Sequence, residues 1–258
     1  MRKVLHLFWV MVSVCLPAHL LAEEFQQSFS ARIVQTGPAG NILLGLLYVA
    51  GEKVRVEQVD ANGSIVTLID LKSSRLTSMY PEKRLYSNLS HAPSLFPPPM
   101  QFVAMNRKPL CMKLPFGSCK RQDEVVIRGR VAEKWLIEFP EPLKQVQWLD
   151  KEHGFVVKSK THNGGLMELQ LTGHDTFGGR VVEKWVRTTS FRENAPVISY
   201  QWYDPVLKLV VKEELPGGYV RELAGIRTGA QPDQLFQVPA EYRPIVVPGG
   251  QAQANKRL

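Results

Sequence analysis

The sequence predicts an all-β protein with few helices, built as a curved antiparallel meander sheet. Three observations carry that prediction. Short segments alternate apolar and polar residues, as in Lys53-Val54-Arg55-Val56-Glu57, the pattern of a strand with one buried face. Tight-turn pairs such as Asn62-Gly63 and Asn163-Gly164 separate them, and both central residues of such turns need positive φ. The chain also repeats itself. Gly129-Arg130-Val131-Ala132-Glu133-Lys134-Trp135 returns as Gly179-Arg180-Val181-Val182-Glu183-Lys184-Trp185. No window sustains the 3.6-residue period of a helix.

Residues 1–22 read as a secretory signal peptide. Arg2 and Lys3 give a basic start, and residues 4–16 are apolar but short for a membrane span. Leu20-Leu21-Ala22 before Glu23-Glu24 is the expected cleavage site, which makes the mature protein an exported one. A membrane anchor is the alternative; a lipoprotein reading at Cys15 is disfavoured by Val14 before it. Removing Arg2 and Lys3 lowers the formal charge from +8 to +6. The basic residues are scattered, which argues against nucleic acid and allows only a peripheral attraction to anionic lipid head groups.

The mature chain, 23–243, reads as one β domain. Strands are expected at 25–35 and 41–49, joined by the turn Gly37-Pro38-Ala39-Gly40-Asn41. Further strands follow at 53–57, 64–71, 76–80 and 85–89, with Pro81-Glu82-Lys83 as a turn. Residues 90–116 differ: they are rich in Pro, Phe and Met and poor in charge. Proline excludes a regular interior strand or helix there. The segment is expected to be a crossover loop, with a helical turn at 100–106, that either plugs the core or forms a lid over an apolar cavity. Phe96, Met100, Phe102, Met105 and Met112 would be its covering side chains, since methionine suits a repacking surface.

After cleavage two cysteines remain, Cys111 and Cys119, and an even count in an exported chain favours a disulfide. Closing so short a loop is worth about 2–3 kcal/mol.

Strands resume at 124–138, 144–150, 154–161 and 166–172, then at 179–190, 197–204, 207–214 and 219–227. These two groups are the repeat, 129–172 and 179–223. Gln147-Trp148-Leu149-Asp150 is answered by Gln201-Trp202-Tyr203-Asp204, and Phe155-Val156-Val157-Lys158 by Leu209-Val210-Val211-Lys212. The offset grows from 50 to 54 residues, so one hairpin loop, within 188–197, is the longer. Trp135, Trp148, Trp185 and Trp202 are amphipathic plates for core packing or for a cavity mouth. Asp150 and Asp204 hold equivalent turn positions, where aspartate bonds its own backbone. Residues 244–258 have the composition of a disordered tail.

The closing segment carries a resemblance. Gly229-Ala230-Gln231-Pro232-Asp233-Gln234-Leu235-Phe236-Gln237-Val238-Pro239-Ala240-Glu241-Tyr242, with 45–57 near the start, resembles the LolA/LolB-like superfamily of periplasmic lipoprotein carriers, especially a bacterial branch of unknown function. The resemblance implies an incompletely closed antiparallel barrel with a loop or short-helix lid around an apolar cavity. It implies a monomeric binding protein whose partners are an acyl chain, lipid or lipoprotein. Leu235, Phe236 and Val238 would anchor a turn folded back on the sheet.

No G-x-S-x-G elbow, phosphate loop or H-E-x-x-H occurs, so no enzyme, cofactor or metal is expected. His91, His153, His162 and His174 lie near turns and read as exposed. The expected function is non-enzymatic binding in envelope lipid or lipoprotein transport. The alternative is an envelope protein-interaction or stress-sensing module that uses its sheet surface.

Overall fold

The structure, a computed structural model, describes residues 27–60, 63–73, 75–90, 118–139 and 144–245. Nearly everything described is strand, and none of it is α-helix. The amino-terminal strands are β1 Ser28–Thr36, β2 Ile42–Ala50, β3 Lys53–Asp60, β4 Gly63–Asp70, β5 Arg75–Tyr80 and β6 Leu85–Ser90. Then come β7 Ser118–Ile127, β8 Arg130–Glu138, β9 Lys144–Asp150, β10 Val156–Thr161 and β11 Gly165–Phe177. The series ends with β12 Arg180–Phe191, β13 Val197–Asp204, β14 Leu209–Leu215, β15 Tyr219–Thr228 and the two-residue β16 Arg243–Pro244.

All sixteen belong to one sheet, in the order β16-β6-β5-β4-β3-β2-β1-β15-β14-β13-β12-β11-β10-β9-β8-β7. Neighbours are antiparallel except β16, which runs parallel to β6. The sheet is not closed into a barrel among the described residues: β7 and β16 are its two edges.

Among the described residues, one face of this single layer is buried without a second sheet against it, because the face curls onto itself. Ile69 and Leu76 of β4 and β5 share one apolar cluster with Val182, Leu207 and Leu209 of the β12–β14 region. Those strands are far apart in sheet order, so only curvature brings their side chains together. A many-stranded twisted sheet is expected to curl in this way. A second cluster joins Ala132, Phe155, Val157, Leu169, Trp185, Tyr203 and Val210 across the two repeated units.

The closing motif covers the opposite face near the β6 edge. Pro232 leads into a 3-10 turn at Asp233–Phe236. Arg55 donates to the Leu235 carbonyl at 2.9 Å. Val238 and Tyr242 pack on Val66, Leu68 and Met79.

Two expectations need correction. The segment 124–138 is not one strand. It is a hairpin, because Arg128 and Gly129 both take positive φ (50° and 81°) and turn β7 into β8. The second unit turns the same way at Gly178-Gly179 (58° and 77°). Among the described residues the sheet holds sixteen strands rather than the fourteen expected: the hairpin within 124–138 adds one, and β16 adds the other. The crossover segment 91–117, the leader and the tail after Ile245 lie outside the described residues.

A buried cavity and an ionic seam between the repeated units

The repeated units place equivalent residues in equivalent pairings. In the first unit Gln147 pairs with Ser159, and Ser159 with Met167. In the second, Gln201 pairs with Glu213, and Glu213 with Arg221. Alternation along each strand sends these residues to the buried face, where Gln147, Ser159, Gln201 and Glu213 are all buried.

There they line a cavity of about 450 Å³, within the usual range for small-molecule sites, roughly 300–1,000 Å³. Its apolar lining includes Phe155, Met167, Leu169, Val210 and Leu215. Its polar lining is Gln145, Gln147, Ser159, Arg187, Gln201, Glu213 and Arg221.

The polar groups are incompletely paired. Arg187 Nη2 donates to Gln201 Oε1 at 3.1 Å, and Gln145 Nε2 donates to Ser159 Oγ at 2.6 Å. Arg221 Nη1 lies 3.5 Å from Glu213 Oε2, close enough for an ion pair but without hydrogen-bond geometry. Among the described residues, the buried side-chain atoms with no hydrogen-bond partner in the protein are Gln147 Oε1, Arg187 Nε, Glu213 Oε2 and Arg221 Nε. All four belong to this one cavity. Burial pushes the Glu213 carboxyl above its usual range, against the opposing pull of Arg221 and Arg187. Burial likewise lowers the Arg187 guanidinium, with Glu213 offsetting part of that.

An ionic seam lies beside the cavity, where the β9–β10 turn meets β12. Arg130 grips Asp150 with two hydrogen bonds of 2.9 Å. His153 Nδ1 is 3.1 Å from Asp150 Oδ2, and its Nε2 is 3.1 Å from Glu183 Oε1. Trp185 Nε1 donates to Glu183 Oε2 at 3.0 Å. Phe155, Trp185 and Tyr203 pack around the imidazole with ring centroids at 5.3, 5.7 and 5.4 Å. Burial alone would lower the His153 pKa, but hydrogen bonds to Asp150 and Glu183 outweigh it and raise the pKa to about 9. Arg130 Nη2, 2.7 Å from His153 Nδ1, works against that protonation but does not cancel the two carboxylates. Asp150 is held far below the usual carboxylate range: burial opposes this, and bonds from His153 and Arg130 prevail.

The expected turn chemistry of the aspartates is present. Asp150 Oδ2 accepts from His153 N at 2.8 Å, and Asp204 Oδ1 accepts from the Val206 and Leu207 amides at 2.8 and 2.9 Å. Each also pairs with its unit's arginine, Arg130 or Arg180. His153 is not the exposed turn histidine the sequence implied; its side chain is 7% exposed. His162 and His174 are exposed, and His91 lies outside the described residues.

The sequence-predicted site residues fall as follows. Phe96, Met100, Phe102, Met105, Met112 and Cys111 lie outside the described residues. Cys119, on β7, is disulfide-bonded. Trp185 is fully buried in the seam. Trp202 is buried between Lys184 and Lys212, whose ammonium groups stand 4.9 and 4.4 Å from its ring centroid. Trp135 and Trp148 are half-buried, the latter 5.9 Å from Lys158. None of the four tryptophans lines the cavity.

Arg187, Gln201, Glu213 and Arg221 were missed from sequence because period-two alternation gives parity but not which face is inside. The usable signal was the repeat. Ile137, Ser159 and Met167 of the first unit stand where the second has Arg187, Glu213 and Arg221.

No protein-family model matches the chain, and no curated protein matches it. Solved structures do align with it, at low identity and with low TM-scores. An outer membrane lipoprotein-sorting protein domain from Vibrio parahaemolyticus aligns over 83% of this chain and 90% of its own, at 11% identity and TM-score 0.37. A DUF1329 family protein from Desulfovibrio piger aligns over 84% and 91%, at 12% identity and TM-score 0.37. A LolA superfamily protein from Nitrosomonas europaea aligns over 82% and 90%, at 13% identity and TM-score 0.36. The structural neighbours of this all-β sheet thus include LolA superfamily and lipoprotein-sorting proteins, the grouping its closing motif resembles.

Proposed function

We propose that this chain is an exported, periplasmic, non-enzymatic binding protein for an acyl chain, lipid or lipoprotein, acting in cell-envelope lipid or lipoprotein transport. The observation that carries the reading is the cavity of about 450 Å³ on the curled face, with Phe155, Met167, Leu169, Val210 and Leu215 as its apolar lining. An apolar chain placed there removes its own surface from water at about 25 cal/mol per Å². The leader sequence supports export, and the Cys119 disulfide fits an oxidising compartment. Within this reading Cys111 is the partner of Cys119, and 96–112 is the cover of the cavity.

Native mass spectrometry after gentle extraction tests it. A co-purified lipid or acylated species on the monomer is the expected result. A lipid-free protein that also fails to take up a fluorescent fatty acid overturns the reading. The double substitution Phe102→Asp with Met105→Asp should abolish that uptake and leave the β circular-dichroism signal intact.

A second reading has its own observation. Ile42, Leu44 and Leu46 form an exposed apolar stripe along β2, at 63%, 59% and 37% exposure. Such a stripe favours a protein-interaction or sensing module. A lipid-free monomer that binds a defined envelope protein, and loses it on Leu44→Lys, would favour this module over the carrier.

A further inference from the structure

The cavity carries more polar chemistry than an acyl chain can use. Among the described residues, four buried atoms there lack a hydrogen-bond partner: two donors, Arg187 Nε and Arg221 Nε, and two acceptors, Gln147 Oε1 and Glu213 Oε2, the last held only by a 3.5 Å ion pair to Arg221. Leaving such a group unpaired costs on the order of 1–3 kcal/mol, and more when it is charged. Gln147 and Glu213 are 5% and 3% exposed, so bulk water does not serve them.

The fold does not demand these charges. At the same pairing positions the first unit has Ile137, Ser159 and Met167. On β1, β3 and β4 the corresponding pairings hold Ile33, Val56 and Thr67. One sheet position is therefore filled three ways, and only one of them is ionic. With Arg187 and Arg221 against Glu213, the ionic set carries one net positive charge.

We infer that the Arg187–Gln201–Glu213–Arg221 set is a head-group site that selects an amphipath with a single negative charge and hydroxyl donors beside it, such as the phosphodiester of a polyol. The anionic oxygens accept from the two arginine Nε–H groups. The hydroxyls donate to Gln147 Oε1 and Glu213 Oε2. The tail lies along Met167, Leu169, Val210 and Leu215. Glu213 makes the site discriminating, because it satisfies a donor and repels a second negative charge. This inference rests on the preceding reading of the cavity as an acyl-chain site.

The test uses the full mature chain and three single-chain amphipaths with the same tail: lysophosphatidylglycerol, lysophosphatidylcholine and a monoacylglycerol. Isothermal titration below the critical micelle concentration gives the affinities. The expected order places lysophosphatidylglycerol first by roughly tenfold or more, since charge-assisted hydrogen bonds strengthen its hold. Arg187→Gln should erase that preference, bringing lysophosphatidylglycerol down to the affinity of the other two. Glu213→Gln should act in the opposite direction and tighten the anion several-fold. The two opposed variants keep the test decisive if one of them fails to fold.

Equal affinity for all three amphipaths overturns the head-group site and leaves the acyl-chain reading standing. If none of the three binds, the acyl-chain reading falls, and glycerophosphoglycerol without a tail decides the head-group site. Binding of that free head group upholds the site, and no binding overturns it.

Discussion

The two repeated units bury the same sheet positions with different chemistry. Ile137, Ser159 and Met167 in one are Arg187, Glu213 and Arg221 in the other, while Gln147 and Gln201 match. The seams differ in the opposite sense. His153 of the first unit reaches Glu183 of the second through a charged contact. Leu207, the counterpart of His153, lies in an apolar cluster with Phe29, whose register against β15 matches that of Glu183 against β11. An identical backbone frame thus accepts either an ionic or an apolar filling. Where buried charge appears, its cause has to be sought in something other than the frame.

The largest expected effect is on the ionic seam. Asp150→Ala takes from Arg130 and buried His153 the carboxylate they share, leaving Glu152 and Glu183 as their remaining partners, and should cost about 3–5 kcal/mol of unfolding free energy in urea. Asp204→Ala in the second unit should also destabilise, through two lost amide bonds at the β13–β14 turn and an unpaired Arg180. A loss of under about 1 kcal/mol for Asp150→Ala would mean that the seam is wet and carries no structural role.

The next effect concerns pH. The folded pKa of His153, about 9, lies above its ordinary value of 6.5. The native state therefore holds a proton that the unfolded state has released in that interval. Its stabilisation is complete below pH 6.5 and is lost as pH rises through 9. The loss is on the order of 3 kcal/mol, taking 1.36 kcal/mol per unit. His153→Leu, which copies Leu207, should flatten stability between those pH values; a slope that persists would assign the effect to another group.

A smaller effect is expected from making the second unit resemble the first. The triple variant Arg187→Ile, Glu213→Ser, Arg221→Met removes buried charge from positions that accept neutral residues. It should be neutral or more stable, by about 1–4 kcal/mol. Strong destabilisation would show that the ionic set serves the fold after all.

The smallest effect sets the two hairpin tips against each other. Gly129→Ala and Gly179→Ala each force a Cβ into a left-handed conformation, with open space around it. Each should cost about 1–2 kcal/mol. Unequal costs would show that the matching turns carry unequal strain.

Much of the fold was legible because its punctuation is local. Asp60 pairs with Gly63, so β3 and β4 form a hairpin where a tight turn was expected, with Gly63 as a strand residue rather than a central turn residue, and strands such as β9 and β13 begin and end where alternation places them. The closing motif was legible because Pro232 and its apolar neighbours can only turn and anchor. The Arg128-Gly129 hairpin was missed because arginine at positive φ has no sequence signature, although the Gly178-Gly179 turn in the second unit gave the hint. The cavity was missed because β-bulges, as at 171–173 in β11 and 210–212 in β14, shift registers and reverse which parity faces inward. His153 looked exposed because its partner Glu183 comes from the other unit, thirty residues away.

The pairing of β1 with β15 joins residues such as Val34 and Glu222, and every other antiparallel neighbour in the sheet is also a neighbour in sequence or separated by one loop. The six amino-terminal strands and the nine strands β7–β15 are thus two runs of hairpins that meet at this one ladder. Local hairpins form in microseconds, whereas a ladder closing so long a loop waits on a slow chain search. The first strand of the domain cannot find its inner neighbour until nearly the last strand exists. Until then β1 and β15 each present an unpaired edge, the kind of surface that pairs with other chains. Folding of this sheet should therefore be slow, concentration-sensitive and completed only after the whole chain has emerged.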